Sequence, residues 1–101
     1  MNKFYIYGKN YPTSDGTAVR DFIHILDVME AIKKIVKDIK KFRGYNLFNL
    51  SSNNGETVKN IVESYKNHHN KNLKVIYKKP RIGDEYLSIG NNNKIRSQIK
   101  W

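Results

Sequence analysis

Short apolar runs separated by polar turns predict strands and helices in alternation along the first half of the chain. The run KFYIYG at 3–8 predicts a strand that ends at its glycine. Apolar residues at 22–26 predict a second strand. After Asp27, which begins an acidic variant of the capping box, apolar residues at spacings of three and four predict an amphipathic helix over 28–41.

The second half continues the same order. Residues 45–50 and 73–77 predict strands, with a helix over 57–69 between them, and a last helix is predicted near 92–100 with an asparagine cap. This alternation is typical of α/β proteins. A parallel sheet needs several strands and cover on both faces, so the few short strands indicate part of a larger fold. We expect residues 1–101 to form a single segment without an internal boundary.

Composition narrows the protein class. A chain of 101 residues can bury one modest core. The chain has no cysteine, which excludes disulfides, thiolate metal sites and a cysteine nucleophile. No apolar run has the length of a membrane span, and the N-terminus lacks the pattern of a signal peptide. We therefore expect a cytoplasmic protein without a membrane partner.

The net charge of +10 raises the question of a nucleic-acid partner. Lysine outnumbers arginine 15 to 4, and the abundance of asparagine and lysine together is typical of an AT-rich genome. Five lysines fall on the outer face of the first predicted helix, where solvated charge is the ordinary expectation: Lys33, Lys34, Lys37, Lys40 and Lys41. A basic nucleic-acid binder is therefore a weaker alternative, and we expect no specific nucleic-acid partner.

Two arginines are candidates for anion binding. Arg20 follows a glycine-containing turn, and its planar guanidinium can grip phosphate oxygens in a bidentate manner that lysine cannot reproduce. A structural salt bridge with Asp15 or Asp21 is the alternative. Arg81 and Asp84 lie in an Arg-x-Gly-Asp turn that could hold an anion and a hydroxyl together, although for so short a pattern, taken alone, an ordinary turn is the better explanation.

Catalytic and metal-binding patterns are missing from the sequence. Tyr5 and Lys9 have the spacing of the Tyr-x-x-x-Lys pair of short-chain dehydrogenases, but that pair needs a helix and Tyr5 lies in a predicted strand. His24 is interpreted as a structural histidine, and the adjacent histidines at 68–69 point in different directions on a helix. No G-x-G-x-x-G run for a dinucleotide occurs. We expect no catalytic residue and no metal site in this chain.

The run YPTSDGTAVRDFIHILD at 11–27 resembles a signature of UDP-glucose 4-epimerases, which are extended short-chain dehydrogenases. Further collinear similarities follow in the YNLFNL run at 45–50, the Arg-x-Gly-Asp turn at 81–84 and the segment that ends at Trp101. The whole chain is similar to the C-terminal part of these enzymes. The resemblance implies an α/β fold, the C-terminal substrate-binding portion of a Rossmann-type protein with most of the Rossmann half absent.

The resemblance also implies a set of substrate-binding residues. In this interpretation the residues that pack on the uracil are Tyr5, Ile6 and Tyr7. The diphosphate is bound by Arg20 and Arg81, and the ribose is hydrogen-bonded by Asp84. The family often has a tyrosine near the position of Ser88, so that contact is expected to differ here.

The implied activity is the interconversion of UDP-glucose and UDP-galactose in galactose metabolism, with NAD as the cofactor of the full-length enzyme. The family's NAD motif and its catalytic Tyr-x-x-x-Lys lie upstream of the matched part, so we expect this segment alone to bind no NAD and to be inactive. A homodimer is expected only with the missing N-terminal part. The alternative is a stand-alone, non-catalytic UDP-sugar-binding module or a degenerate one.

Overall fold

Residues 2–69 and 72–101 are described by a computed structural model, and they fall into two units. Unit 1 comprises the described residues of 1–20 and 55–88, and unit 2 comprises residues 21–54 and 89–101. The elements in chain order are β1 (Asn2–Tyr7), β2 (Val19–Arg20), α1 (Ile25–Lys37) with a 3₁₀ turn (Ile39–Lys41), β3 (Glu56–Thr57), α2 (Val58–His69), β4 (Leu73–Lys78), β5 (Leu87–Ser88) and α3 (Asn93–Gln98).

Both sheets of the described residues belong to unit 1. β1 and β4 pair in parallel, with Asn2 opposite Leu73 and Tyr7 opposite Lys78. A smaller sheet has the order β3-β2-β5, in which β2 is antiparallel to β3 and parallel to β5. Its two-residue strands are too short for an alternating pattern, so the sequence did not predict them.

Helix α2 begins where three backbone N–H groups find acceptors in unit 1. The Val58 N–H donates to a backbone carbonyl at 3.0 Å, and the Lys59 N–H donates to the Thr17 hydroxyl at 3.2 Å. The Asn60 N–H donates to the Thr57 hydroxyl, also at 3.2 Å. These bonds satisfy donors that the first turn of a helix otherwise leaves without partners. The predicted helix over 57–69 is therefore confirmed to within one residue.

Helix α1 in unit 2 begins earlier than the pattern predicts. His24 is its N-cap, with extended backbone angles, and its Nδ1 accepts the Leu26 N–H at 3.1 Å. The predicted cap at Asp27 and the predicted strand at 22–26 are both wrong. An apolar run of five residues suits a strand or the first turn of a helix, and none of the described strands pairs with this run.

The core of unit 2 is small. Its buried members are Ala31 of α1 and two isoleucines of the C-terminal segment, Ile95 and Ile99. Phe42 and Phe48 meet edge to face beside it, with ring centroids 5.7 Å apart. The segment 45–50 has no strand hydrogen bonds, so the strand predicted there is wrong, although its alternating side chains still place Phe48 against the core.

The other predicted strands and the last predicted helix are present in the structure, with ends that differ by a few residues. The strands predicted at 3–8 and 73–77 correspond to β1 and β4, and the last helix is α3, with Asn92 as its N-cap. No helix within residues 2–69 and 72–101 is long and apolar enough to cross a membrane. That residues 1–101 act as one segment stays a prediction.

Asp21 joins three segments of unit 2. Its carboxylate accepts hydrogen bonds from the Ser51 hydroxyl, from the Ser52 N–H at 2.9 Å and hydroxyl at 2.6 Å, and from the Gly90 N–H at 3.0 Å. Burial raises the pKa of Asp21, but these hydrogen bonds outweigh it and lower the pKa from 3.8 to about 2. A Cβ at Gly90 would lie 2.8 Å from Ser51 Cβ, so the close approach needs glycine.

Replacing Asp21 by asparagine is expected to lower the free energy of unfolding by about 1–3 kcal/mol, because one amide oxygen cannot accept from four donors. The fluorescence of Trp101, whose indole N–H donates to the Asp27 carbonyl in unit 2, reports the urea midpoint. Since the pKa is lower in the folded chain, the stabilisation is complete above a pH of about 4 and is lost as the pH falls towards 2. The exposed Glu85, changed to glutamine, is the matched control, and equal midpoints for the two variants would contradict the assignment.

Candidate functional site

Arg20 lies at the end of β2 and is held on two sides. Its Nη1 donates to the Val19 carbonyl at 2.9 Å, and its Nη2 donates to Asp84 Oδ1 at 3.2 Å. The side chain is 28% exposed, so the guanidinium is partly shielded but still reachable from solvent. Arg20 and Asp84, which are 64 positions apart in the sequence, are therefore in contact. The sequence analysis considered a salt bridge of Arg20 with Asp15 or Asp21, but the structure has it with Asp84.

Arg81 reaches the other oxygen of the same carboxylate. Its Nη2 and Nε donate to Asp84 Oδ2 at 3.1 and 3.3 Å. The turn between them closes through the Asp84 N–H, which donates to the Arg81 carbonyl at 3.2 Å, and Gly83 has a φ of +79° that favours glycine. The Arg81 guanidinium also lies over the Tyr7 ring at 4.7 Å from its centroid.

The result is one carboxylate between two guanidinium groups. Arg20 and Arg81 carry two positive charges against the single negative charge of Asp84, so the cluster retains an excess positive charge. Arg81 is 64% exposed, which leaves one face of the cluster open to solvent. Forked N–H donors with an excess positive charge suit an anion that carries several oxygens. We call Tyr7, Arg20, Arg81 and Asp84 the arginine cluster.

The three candidate residues of β1 are divided by the pleat of the strand. Successive side chains of a strand point to opposite faces, so Tyr5 and Tyr7 share one face and Ile6 lies on the other. Ile6 is 2% exposed, so its side chain is part of the interior and only its backbone could reach a ligand. Tyr5 has Lys78 Nζ at 4.5 Å from its ring centroid, a contact that the sequence analysis did not anticipate.

Lys78 could not be found from sequence because only the pairing of β1 with β4 brings it beside this face. The separation of the two residues along the chain is long, and a single sequence contains no signal for a parallel register. The same holds for the stacking of Arg81 on Tyr7. A Pro-Arg pattern in a loop predicts neither the partner ring nor its distance.

A tight turn before β2 positions Arg20. The Tyr11 N–H donates to the Gly16 carbonyl at 2.9 Å, and a Cβ at Gly16, whose φ is +84°, would lie 2.0 Å from the Lys9 carbonyl oxygen. Thr17 is 1% exposed, and both its N–H and its hydroxyl donate to Asp15 Oδ1, at 2.9 and 2.6 Å. Burial raises the pKa of Asp15, while hydrogen bonds led by the Thr17 hydroxyl produce a net lowering.

The N-termini of α1 and α2 do not fit a dinucleotide. A pyrophosphate needs N–H donors of a helix N-terminus, usually from a glycine-rich turn. The first-turn donors of α2 are already given to acceptors within unit 1, and those of α1 are given to His24. No group of three or more metal-ligating side chains occurs within residues 2–69 and 72–101.

Comparison with known proteins relates both sequence and fold to one enzyme family. No family model matches the chain. A UDP-glucose 4-epimerase of Rhizobium leguminosarum bv. trifolii is 35% identical over 98 residues, which are 97% of this chain and 30% of that protein. The UDP-Glc/GlcNAc 4-epimerase of Campylobacter jejuni, also 35% identical, superposes with a TM-score of 0.83 over 100% of this chain and 30% of its own.

The chain is homologous to UDP-glucose 4-epimerases. The Bifidobacterium longum UDP-glucose 4-epimerase, solved in complex with NAD⁺ and UDP, is 25% identical with a TM-score of 0.85, and the chain covers 30% of it. The resemblance of this chain to the C-terminal part of these epimerases and its α/β fold, part of an extended short-chain dehydrogenase, are thereby confirmed. The chain spans about 30% of the length of the epimerases that it matches.

The turn that carries Arg20 can be tested through Thr17. In Thr17→Val the hydroxyl that donates to Asp15 and accepts the Lys59 N–H is lost while the volume stays similar. We expect the free energy of unfolding to fall by about 1–3 kcal/mol, because two groups lose a partner. Circular dichroism of the urea transition measures the change, and Ser14→Ala, at an exposed position of the same turn, is the control. A loss no larger than that of the control would contradict the role of Thr17.

Proposed function

We propose that this chain is the UDP-sugar-binding part of a UDP-glucose 4-epimerase, acting on UDP-glucose and UDP-galactose. The observation that carries the proposal is the arginine cluster, in which two arginines from distant segments share one carboxylate at an open surface. Its members are four of the residues for which the family resemblance implies contacts with UDP. The homology to UDP-glucose 4-epimerases supports the same activity.

The diphosphate is the group that the arginine cluster suits best. A sugar-linked diphosphate carries two negative charges on neighbouring phosphates, so it can accept N–H donors from Arg20 and Arg81 at once. Asp84 holds the two guanidinium groups near each other before the ligand arrives, which lowers the ordering cost of binding. A ribose hydroxyl then donates to the Asp84 carboxylate, as the resemblance implies.

The uracil is assigned to the aromatic face of β1. Tyr7 and Tyr5 are flat, partly exposed rings on one face, with Arg81 and Lys78 beside them. A nucleobase can stack on such a ring or on a guanidinium plane. Ile6 contributes through its backbone in this proposal, since its side chain is buried.

The cofactor belongs to the part of the enzyme that this chain does not span. Solved relatives contain NAD, and the N-termini of α1 and α2 do not fit it here, so we assign NAD binding and catalysis to the remainder of the fold. By itself the chain is then an inactive binding segment. Its cytoplasmic location, and the homodimer that would form only with the remainder, stay predictions.

UDP binding tests the assignment of the two arginines. Calorimetric titration of the 101-residue chain is expected to show UDP binding that weakens about tenfold or more in Arg20→Ala and in Arg81→Ala. A hydrogen bond to a charged group contributes about 1.5–3 kcal/mol, which corresponds to a loss of this size. Arg→Lys at either position should recover only part of the affinity, because lysine lacks the forked donors.

Two comparisons make this test specific. Arg43→Ala, at an exposed arginine of unit 2, removes the same charge and should leave UDP affinity unchanged. Uridine lacks the diphosphate, so it should bind more weakly than UDP, and its affinity should fall less than that of UDP in both cluster variants. The diphosphate assignment fails if Arg20→Ala and Arg81→Ala bind UDP as the wild-type chain does, or if Arg43→Ala loses as much.

A further inference from the structure

The loop before β3 contains the only asparagine of the sequence that is followed by glycine. The sequence has 13 asparagines, and Asn54 alone precedes a glycine, which is Gly55. An Asn-Gly pair ordinarily indicates a turn in which glycine supplies a positive φ. Here Asn53 has the positive φ of the loop, at +61°, and Gly55 is not among the glycines with positive φ. The geometry of the loop therefore does not require an Asn-Gly pair at 54–55.

The side-chain amide of Asn54 has no hydrogen-bond partner within residues 2–69 and 72–101, in contrast to that of its neighbour. Asn53 Nδ2 donates to Asn92 Oδ1 at 2.8 Å, and Asn53 Oδ1 accepts the Asn92 N–H at 2.7 Å. Asn54 is exposed, and only its backbone is held: the Ser52 hydroxyl accepts the Asn54 N–H at 3.1 Å and lies 2.9 Å from its carbonyl oxygen. Its amide is therefore open to chemistry that the amide of Asn53 is not.

The Gly55 N–H also has no acceptor in the described part of the chain. Because glycine lacks a Cβ, little obstructs the approach of its nitrogen to the side chain of the preceding residue. A bond between this nitrogen and Asn54 Cγ closes a five-membered ring, and such an intramolecular step has a high effective concentration. The pair therefore places a nucleophile beside an electrophile, and neither is committed to another partner among the described residues.

We propose that Asn54 is a site of spontaneous covalent modification, at which the side-chain amide is lost and the main chain is rerouted. After hydroxide removes the Gly55 amide proton, the nitrogen attacks Asn54 Cγ, the Cγ–Nδ2 bond breaks, and the leaving group takes a proton from water and departs as ammonia. Water then opens the succinimide ring. Its attack at Cγ gives aspartate, and its attack at the backbone carbonyl carbon gives isoaspartate. Water is the only co-reactant, and no atom is oxidised or reduced.

Isoaspartate lengthens the main chain by one methylene immediately before β3. Glu56, two residues after Asn54, pairs with Arg20 of β2 in the antiparallel sheet. The added methylene must be absorbed at the start of the strand that supports Arg20. The modification also replaces a neutral amide by a carboxylate, which lowers the net charge of +10 by one unit.

Peptide mapping by mass spectrometry, after incubation of the 101-residue chain at neutral pH, measures the loss of amide at each asparagine. We expect Asn54 to react about tenfold or more faster than Asn53, a difference of about 1.4 kcal/mol in activation free energy. The rate should rise with pH, because hydroxide removes the Gly55 proton, and an isoaspartyl methyltransferase should label the product. Modification spread evenly over the asparagines, or a rate that does not rise with pH, would overturn the proposal.

Gly55→Ala tests the role of the glycine. Since Gly55 has no positive φ, alanine suits its backbone, and the added Cβ should slow the reaction at Asn54 by about tenfold. Gly44→Ala is the matched control, at an exposed glycine that follows an arginine and where a Cβ meets open space. This control should react at Asn54 like the wild-type chain. Equal rates in Gly55→Ala and in the wild-type chain would contradict attack by the Gly55 nitrogen.

The part of the inference that depends on the structure is tested by comparing the folded chain with the chain unfolded in guanidinium chloride. Every amide of the unfolded chain is solvated, so its rate at Asn54 is the rate without structure. We expect the folded rate to lie within about tenfold of it, because neither the Asn54 amide nor the Gly55 N–H has a described partner to lose. A folded rate that is lower by more than this would show that the fold protects the site, and would overturn the proposal.

Asn54→Asp separates the new charge from the lengthened main chain, because it has the carboxylate with an ordinary backbone. In the isolated isoaspartate form, the Nε–H resonance of Arg20 should shift relative to the wild-type chain, whereas in Asn54→Asp it should stay in place. The same shift in both forms would report the charge alone and would contradict the effect on β3. These measurements use no nucleotide, so their outcome does not depend on the proposed function.

Discussion

The carboxylate of Asp21 collects hydrogen bonds from Ser51, Ser52 and Gly90, and the order of unit 2 depends on it because that unit has few buried apolar side chains. Four donors on one acidic group are a strong local constraint, which the lowered pKa of about 2 reflects. The segments that it joins are far apart in sequence and contribute three buried side chains to the core, Ala31, Ile95 and Ile99. A polar junction thus replaces part of the apolar packing that a larger core would provide.

Asp84 has a comparable position in unit 1, but its donors are the side chains of Arg20 and Arg81 rather than the backbone N–H groups and serine hydroxyls that bind Asp21. This difference matters for function. The donors to Asp21 are backbone groups and short side chains that stay with their acceptor, whereas an exposed guanidinium can turn one of its N–H groups towards an incoming anion. The hydrogen bonds of Asp21 stabilise the fold of unit 2, whereas the ion pairs of Asp84 preorganise a binding site in unit 1.

Sequence reasoning found the elements whose pattern is set locally. Helix α2 and strands β1 and β4 follow from periodicity and from the turns beside them. Arg20 and Arg81 were weak candidates from their turns alone, and the family resemblance made them the leading ones. The pairing of β1 with β4 and the sharing of one carboxylate could not be found, because both depend on contacts between distant segments. The strands wrongly predicted at 22–26 and 45–50 have strand-like composition. A strand also requires a neighbour, which sequence pattern alone does not test.

The incorrect strand at 45–50 and the exposed apolar side chains of α1 (Ile25, Met29, Ile32, Val36 and Ile39) have a common physical cause. Composition evolves for the complete fold, so apolar faces and strand edges remain in the sequence whether or not their partners are present. In unit 2 the run at 45–50 has the alternating side chains of a strand but no hydrogen bonds to a neighbouring strand, and the apolar side chain of Ile32 is largely exposed to solvent. Such mismatches between pattern and packing are a useful sign of a segment that belongs to a larger assembly.

Nuclear magnetic resonance of the arginine Nε–H groups distinguishes binding of the diphosphate by the arginine cluster from a general attraction of this basic chain for anions. The chain has four arginines, so the spectrum separates the two of the arginine cluster from Arg43 and Arg96. On titration with UDP, we expect the Nε–H signals of Arg20 and Arg81 to shift and saturate while the other two stay in place, and we expect uridine to cause smaller shifts of the same two signals. Equal, unsaturated and salt-sensitive shifts of all four signals would contradict this expectation, because they would show only the attraction of a basic protein for any polyanion.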